Sequence, residues 1–210
     1  TTPGTPKRRR IVTEPRWRDM GLYNSTNLAH DLRVWLTDDG SLTEHLVASG
    51  RGEFAVRRLH QNWEVPLPSE RRLLALPPRQ LALVREVALV LGGEVVVFAR
   101  SVFPVSSLQG RLGHLRRLRN KSLGAILFRH PGMQRYPFEL AYMAGDSDYL
   151  PRDLHQHKPA WGRRSRFEID GKKLMVSEVF LESFVPWNTM LPVHRTRRGT
   201  VNAAFRSPTQ

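Results

Sequence analysis

Two arginines stand on either side of a Gly-Gly pair in an otherwise apolar segment. The segment is LVREVALVLGGEVVVFARSVFP, residues 83–104, and the arginines are Arg85 and Arg100. Gly92-Gly93 predicts a two-residue hairpin turn, because glycine readily takes the positive φ angles that such turns require. A turn at this pair places Arg85 directly across from Arg100, on a face of the hairpin that is otherwise apolar.

This predicted pair of cations needs a counter-charge. Like charges that face each other in a sheet are destabilising, and a buried cation without a partner is worse. One explanation is structural: carboxylates elsewhere in the chain pair with the arginines, or one side chain reaches solvent. The other is that an anionic ligand supplies the charge, since guanidinium groups bind carboxylates through paired hydrogen bonds. The sequence leaves both explanations open.

A second hairpin places a carboxylate opposite a third arginine. In WGRRSRFEIDGKKLMVSEVFL, residues 161–181, Asp170-Gly171 is a strong signal for a type I′ turn. With that turn, Arg163 faces Glu178 on the apolar side of the hairpin. The two form either a structural ion pair or a site with its carboxylate in a dry pocket, where burial raises the pKa and favours proton exchange.

Other residues with catalytic potential lack partners at a suitable spacing. His155 and His157 stand in a polar segment without a third metal ligand, which favours a solvated loop. Ser101, Ser106 and Ser107 have no histidine and acid in an arrangement typical of nucleophilic catalysis. These residues therefore predict neither a metal site nor a catalytic triad.

Turn residues and hydrophobic spacing predict the elements that must position these side chains. Ser41-Leu42-Thr43-Glu44 is a capping-box pattern that predicts a helix start, and Ser122 predicts another. The remaining predictions are helices at 28–36, 106–120 and 123–129, strands at 54–62, 81–91 and 94–103, loops at 66–78 and 145–159, and an ambiguous segment at 136–144.

The composition is that of one folded domain with basic ends. The chain has 210 residues, 40% of them hydrophobic, and no apolar run long enough to cross a membrane. It has no cysteine, which excludes disulfides and thiolate chemistry and fits a reducing compartment. We expect a domain at 21–187 between basic tails at 1–20 and 188–210.

The net charge of +14 comes mainly from these tails. Residues 1–18 contribute +5 and residues 188–210 contribute +4. Basic tails contact RNA, anionic lipid or acidic proteins without specificity. We therefore expect no specific nucleic-acid partner. An alternative function as an RNA- or membrane-binding module would be supported by these tails alone.

Five segments resemble a known family and follow its order along the chain. They are VRE (84–86), ARSVFPVS (99–106), KSLGAILF (121–128), WGRRSR (161–166) and SEVFL (177–181). WGRRSR and RSVFPVS are the most specific of them. Over residues 35–185, roughly, the chain resembles chorismate lyase (chorismate pyruvate-lyase), the enzyme that opens ubiquinone biosynthesis.

The resemblance implies an α+β fold in a single domain, with helices packed on an antiparallel sheet and an internal ligand cavity. It also implies a metal-free and cofactor-free lyase that converts chorismate to 4-hydroxybenzoate and pyruvate. We expect this enzyme to be cytoplasmic and monomeric, with no transmembrane segment.

The resemblance also implies roles for individual residues. The expected substrate-binding residues are Leu42, Arg85, Arg100, Leu123 and Glu178, and the expected catalytic residues are Arg85 and Glu178. Chorismate carries two carboxylates, which suits two arginines. One of them, Arg100 or Arg85, would stabilise charge on the departing enolpyruvate oxygen, while Glu178 would bind the C4 hydroxyl and is a candidate acceptor of the C4 proton.

One alternative keeps the fold and changes the function. Ligand-sensing domains of some bacterial transcription regulators look similar, and a fold does not fix a function. Those proteins carry a winged-helix domain before the sensor, and we expect the residues ahead of the core to be too few for one.

Overall fold

The computed structural model describes residues 13–24, 26, 28–184 and, for the backbone alone, 199–201. The helices are α1 (His30–Thr37), α2 (Leu42–Ala48), α3 (Pro68–Leu74) and α4 (Leu123–Leu127). The strands are β1 (Arg18–Asp19), β2 (Phe54–Glu64), β3 (Ala82–Leu91), β4 (Glu94–Pro104), β5 (Met133–Arg135), β6 (Glu139–Met143), β7 (Ala160–Ile169), β8 (Lys172–Phe180) and β9 (Gly199–Val201). Short 3₁₀ segments lie at Met20–Leu22, Val105–Leu108, Gly110–Arg117 and Arg152–Leu154.

The strands form one sheet with the order β1-β6-β7-β8-β4-β3-β2. All neighbours on this path are antiparallel, and β5 joins at the side by pairing with β7 and, in parallel, with β9. The predicted α+β class in a single domain, with helices against an antiparallel sheet, is confirmed.

Apolar side chains are buried on both faces of the sheet. On one face, α1 and α2 bury Trp35, Leu36 and Leu46 against the central strands. On the other, α3 packs Leu74 against Val84 and other strand residues. Both faces are covered, so β3 and β4 are apolar almost throughout rather than alternating.

Helix α3 corrects the loop predicted at 66–78. Pro68 stands at its first turn, where the missing N–H costs nothing, and the Glu70 carboxylate accepts the Leu67 N–H at 2.9 Å. The segment between its prolines therefore holds a short capped helix, stabilised by Leu74 packing on the sheet.

The second hairpin has the predicted register. Asp170 and Gly171 take φ angles of 50° and 74°, and Ile169 pairs with Lys172. The same register continues to Arg163 and Glu178, which pair as predicted.

The first hairpin corrects the predicted pairing of its arginines. The turn at Gly92-Gly93 is as predicted, with Leu91 opposite Glu94, but the register shifts by one residue beyond Val90. Because one extra residue in β4 reverses which side chains face each side, Arg85 pairs with Ser101 and Arg100 pairs with Glu86. The two arginines consequently lie on opposite faces of the sheet.

Several segments differ in kind from the predictions. The helix predicted at 106–120 is two 3₁₀ segments, and the ambiguous 136–144 contains β6. Within the span expected as an N-terminal tail, β1 pairs with β6 and the Glu14 carboxylate accepts the Ser69 N–H. No helix among the described residues is long and apolar enough to span a membrane.

Candidate active site

A cavity lies between one face of the sheet and the first turns of α2 and α4. Four of the five predicted substrate-binding residues line it: Leu42, Arg85, Leu123 and Glu178. Its other walls are Gly40, Thr43, Val56, Val87, Leu89, Ala99, Ser101, Ser122, Gly124, Leu127, Phe128, Arg135, Phe167 and Val176. Most of these are apolar, so the polar groups that remain decide what the cavity can bind.

Two helix starts border the cavity at Leu42 and Leu123. The hydroxyl of Ser41 accepts the Glu44 N–H, and the hydroxyl of Ser122 accepts the Ala125 N–H, so both predicted capping residues begin their helices. Leu42 and Leu123 are the first residues of α2 and α4, where backbone N–H groups have no partner within the helix. The two helices are joined by a 2.7 Å hydrogen bond between the hydroxyls of Thr43 and Ser122.

Arg85 is a buried cation without a carboxylate partner in the described part of the chain. Its side chain is 1% exposed, and its Nη2 donates to the carbonyls of Arg119 and Lys121 at 3.0 and 2.8 Å. Its Nε is buried with no acceptor among the described residues. Burial, together with the nearby charge of Arg58, lowers the pKa of Arg85 to about 10. The guanidinium is thus still charged at neutral pH.

Arg135 is a second buried arginine in the cavity wall, and sequence reasoning missed it. Its Nε donates to the Ser165 hydroxyl at 2.9 Å, and its Nη1 donates to the carbonyls of Asp39 and Gly40, each at 3.1 Å. No carboxylate of the described residues lies within ion-pair distance of it. Burial, followed by the charge of Arg163, lowers its pKa to about 9. Its strand has three residues and no clear alternation, so no local signal marked it.

Glu178 lies in the cavity wall and is paired with Arg163. The Arg163 Nε donates to the Glu178 carboxylate at 2.6 Å, and its Nη1 donates to the carbonyls of Trp35 and Asp38. Arg163 is 1% exposed. The structural interpretation of this pair is confirmed, and the carboxylate still lines the cavity, so the two interpretations do not exclude each other.

Arg100 corrects the prediction that it lines the same cavity as Arg85. It points to the opposite face, where its Nε and Nη2 bind the Glu70 carboxylate at 2.7 and 3.0 Å and its Nη1 binds Glu86 at 2.7 Å. Although burial opposes the charge of Arg100, Glu70 raises its pKa well above the usual range. Carboxylates elsewhere in the chain therefore supply the counter-charge of Arg100, as one of the two explanations predicted. Among the described residues, no carboxylate does so for Arg85.

The histidines singled out in the sequence do not contribute to this cavity. His155 and His157 are exposed on the loop between β6 and β7. Among the described residues no group of three or more potential ligands is close enough to hold a metal. The cavity thus combines two cations, one carboxylate and apolar walls, which suits a small ring compound with negative groups.

Comparison with known proteins identifies the family. The family model for chorismate lyase matches residues 19–189. The chain belongs to the chorismate lyase family. A probable chorismate pyruvate-lyase of Methylobacillus flagellatus is 39% identical over 171 residues, which cover 79% of this chain and 94% of the relative. One of Methylococcus capsulatus is 40% identical over 153 residues, 71% of this chain and 94% of the relative.

Solved structures show where the fold recurs outside this family. PhnF from Mycobacterium smegmatis has a TM-score of 0.51 at 14% identity, covering 78% of this chain and 67% of that one. A PhnF C-terminal domain also has a TM-score of 0.51, at 12% identity, covering 69% of this chain and 92% of that one. At such low identity these similarities concern the fold alone.

Proposed function

We propose that this cavity binds chorismate and converts it to 4-hydroxybenzoate and pyruvate, the first step of ubiquinone biosynthesis. The observation that carries the proposal is the buried, charged Arg85, which has no carboxylate partner among the described residues and lies in the same apolar cavity as Glu178. An isolated buried cation is unfavourable, so an anionic ligand stabilises this arrangement. Membership of the chorismate lyase family specifies which anion.

The ring of the substrate fits between Arg85 and Glu178. In our proposal the ring carboxylate binds the Arg85 guanidinium and the free N–H groups at the start of α4, beginning with Leu123. Leu42 contributes an apolar contact from α2. The C4 hydroxyl, which lies para to that carboxylate, donates to Glu178, held in place by Arg163.

The reaction breaks the bond between C3 and the ether oxygen and removes the hydrogen at C4. The enolpyruvyl group leaves with the bonding electrons, its methylene gains a hydrogen to give pyruvate, and the ring becomes aromatic. Since aromatisation supplies the driving force, the protein mainly orients the ring and stabilises the charge on the departing oxygen. The C4 hydrogen goes either to Glu178 or directly to the enolpyruvyl methylene.

Pyruvate release from chorismate tests the proposal. The purified chain is mixed with chorismate, and pyruvate is followed through lactate dehydrogenase and NADH while 4-hydroxybenzoate is quantified by chromatography. We expect equal amounts of both products. Saturable binding of 4-hydroxybenzoate without any pyruvate would instead identify a sensing domain, and an absence of both would contradict the cavity assignment.

We also propose that the enzyme acts as a monomer in the cytoplasm. The residues that the proposed reaction uses line one cavity, so the proposal requires no residue from a second copy of the chain. The proposed substrate is doubly charged and does not cross a bilayer unaided. Light scattering of the purified protein and fractionation of cells that produce it test the two statements separately.

A further inference from the structure

The proposed substrate has two carboxylates, and Arg85 accounts for only one of them. The second belongs to the enolpyruvyl group at C3, next to the carbon that carries the hydroxyl. Arg100, the other arginine expected to bind the substrate, lies on the other face of the sheet with Glu70 and Glu86. A partner for the second carboxylate has to be sought in the cavity wall itself.

Arg135 has the properties that such a partner requires. It lines the cavity, is 3% exposed, and donates from Nε and Nη1 to a hydroxyl and two carbonyls rather than to a carboxylate. The rings of Phe128, Phe138 and Phe167 surround its guanidinium at 5.5, 4.1 and 4.9 Å from their centroids. These rings orient the guanidinium but do not supply a negative charge.

The position of Arg135 along the cavity matches the position of the second carboxylate. Arg85 begins a row of paired residues that continues across the sheet through Ser101 and Val176 to Ser165, where Arg135 binds at the far end. Arg135 also lies over the same Phe138 ring as Arg163, the partner of Glu178. Arg135 therefore lies at the Glu178 end, where the hydroxyl would bind and where the neighbouring ether substituent of chorismate would extend.

We propose that Arg135 binds the side-chain carboxylate of chorismate and so distinguishes the dianionic substrate from the monoanionic product. This inference rests on the proposed function of the cavity. When the C3–oxygen bond breaks, the second carboxylate departs with pyruvate, and 4-hydroxybenzoate keeps only its contacts at Arg85 and Glu178. Arg135 thus adds affinity for the substrate that the product lacks.

The test compares two ligands that differ in this one carboxylate. 4-Hydroxybenzoate is the monoanion, and 3-(carboxymethoxy)-4-hydroxybenzoate is a stable aromatic dianion with its second carboxylate on the same ring position as in chorismate. Their dissociation constants are measured by calorimetry for the wild type, Arg135→Gln and the matched control Arg85→Gln. Arg135→Gln should weaken the dianion at least about 30-fold and change the monoanion by less than about threefold. Arg85→Gln should weaken both ligands.

Turnover gives an independent reading of the same variants. Arg135→Gln should lower kcat/KM for chorismate at least about 30-fold with 4-hydroxybenzoate inhibition unchanged. Equal losses for both ligands, or an unchanged preference for the dianion, would overturn the assignment. Because the ligand comparison needs no turnover, a wild type that bound the dianion through Arg135 without releasing pyruvate would refute the proposed reaction and not this inference.

Two further variants separate binding from a structural role, since Arg135 also holds the carbonyls of Asp39 and Gly40. Ser165→Ala removes the Nε acceptor but keeps the charge, and should preserve the preference for the dianion. If Arg135→Gln fails to fold, Arg135→Lys decides, because an ammonium lacks the paired geometry of a guanidinium. Weaker dianion binding with unchanged monoanion binding supports the proposal, and unchanged binding of both overturns it.

Discussion

At the scale of residues, the five buried arginines of the described strands have different environments. Arg100, Arg163 and Arg164 have carboxylate partners within 2.7 Å, whereas Arg85 and Arg135 donate to neutral groups alone among the described residues. A paired buried arginine contributes to the fold, while an unpaired one destabilises it until an anion binds. This difference is the reason why we propose Arg85 and Arg135, and not the other buried arginines, as the cations that bind the ligand.

Replacing Arg85 should weaken binding of 4-hydroxybenzoate. For Arg85→Gln we expect a loss of roughly 2–5 kcal/mol in binding free energy, the range for removing one member of a buried charge pair. Isothermal titration calorimetry measures it. Arg58→Gln is the matched control, because Arg58 is an exposed cation near Arg85. A wild-type dissociation constant for Arg85→Gln would refute its binding role.

Replacing Glu178 should separate proton transfer from orientation. Glu178→Gln keeps the size of the side chain and one hydrogen-bond acceptor for the C4 hydroxyl, but it cannot take the C4 proton. We expect turnover to fall about 100-fold or more, as for removal of a general base. Single-turnover kinetics with saturating chorismate measures this step. Wild-type turnover with normal binding would assign the hydrogen transfer to the enolpyruvyl methylene.

At the scale of elements, the cavity is closed where two short helices meet. The first turns of α2 and α4 lie together, and the hydroxyls of Thr43 and Ser122 bond across them. Arg135 holds the turn before α2 by binding the carbonyls of Asp39 and Gly40. His45 contacts the same turn, because its Nε2 lies 2.6 Å from the Asp38 carboxylate. The segment from Asp38 to Thr43, which borders the cavity, is thus held by polar contacts at both of its ends.

Removing the bond between the helices should speed release of the product. Thr43→Val keeps the shape of the side chain and removes its hydroxyl, and such a hydrogen bond contributes about 1 kcal/mol. We expect 4-hydroxybenzoate to dissociate about fivefold faster, as measured by stopped-flow displacement. Thr43→Ser keeps the hydroxyl and should behave like the wild type. An equal release rate in Thr43→Val would show that these helices do not limit release.

The Asp38–His45 contact should make the free energy of unfolding depend on pH in the acidic range. Burial opposes the charge of Asp38, but the hydrogen bond and charge of His45, with Arg163 and Arg135, lower its pKa below the ordinary 3.8. A carboxyl group with a lowered pKa stabilises the fold above its unfolded pKa, and this contribution is lost as the pH falls through the folded value. Asp38→Asn should therefore be less stable than the wild type at pH 7, by about 1–2 kcal/mol, and the difference should shrink below pH 4. Urea unfolding at both pH values measures this, and a constant difference would contradict it.

At the scale of the whole molecule, the net charge and the cavity residues lie largely in different parts of the sequence. Most of the net charge of +14 resides in the terminal segments, whereas the described residues that line the cavity lie between positions 40 and 178. The backbone of β9 pairs with β5, the strand that carries Arg135, so the C-terminal segment is not wholly separate from the domain. Residues 1–12, 185–198 and 202–210, which make up most of the two predicted tails, lie outside the described residues.

Deleting residues 1–12 should separate nonspecific binding from catalysis. This removes Lys7, Arg8, Arg9 and Arg10 and leaves every described residue that lines the cavity in place. We expect pyruvate release to change less than about twofold, while the slope of log affinity for duplex DNA against log salt becomes shallower by up to about 4. Replacing the four cations by glutamine at full length is the matched control. A steep salt dependence that survives in both variants would place the nucleic-acid contacts in the domain.

The sequence by itself determined those features that follow from neighbouring residues. Asp170-Gly171 specified the register of the second hairpin, and with it the Arg163–Glu178 pair, because a two-residue turn sets the alignment of its strands as long as no bulge follows. Ser41 and Ser122 marked two helix starts for a similarly local reason, since each cap binds a backbone N–H three residues later.

Tertiary structure alone decided which arginines share the cavity. The register shift in β4 turned Arg100 away from Arg85 and towards Glu70, a residue of α3 on the other face. Arg135 joined the cavity because β5 pairs with β7, a contact between segments about thirty residues apart. A turn fixes only the residues beside it, whereas the face to which a distant side chain points depends on every bulge and partner strand between them.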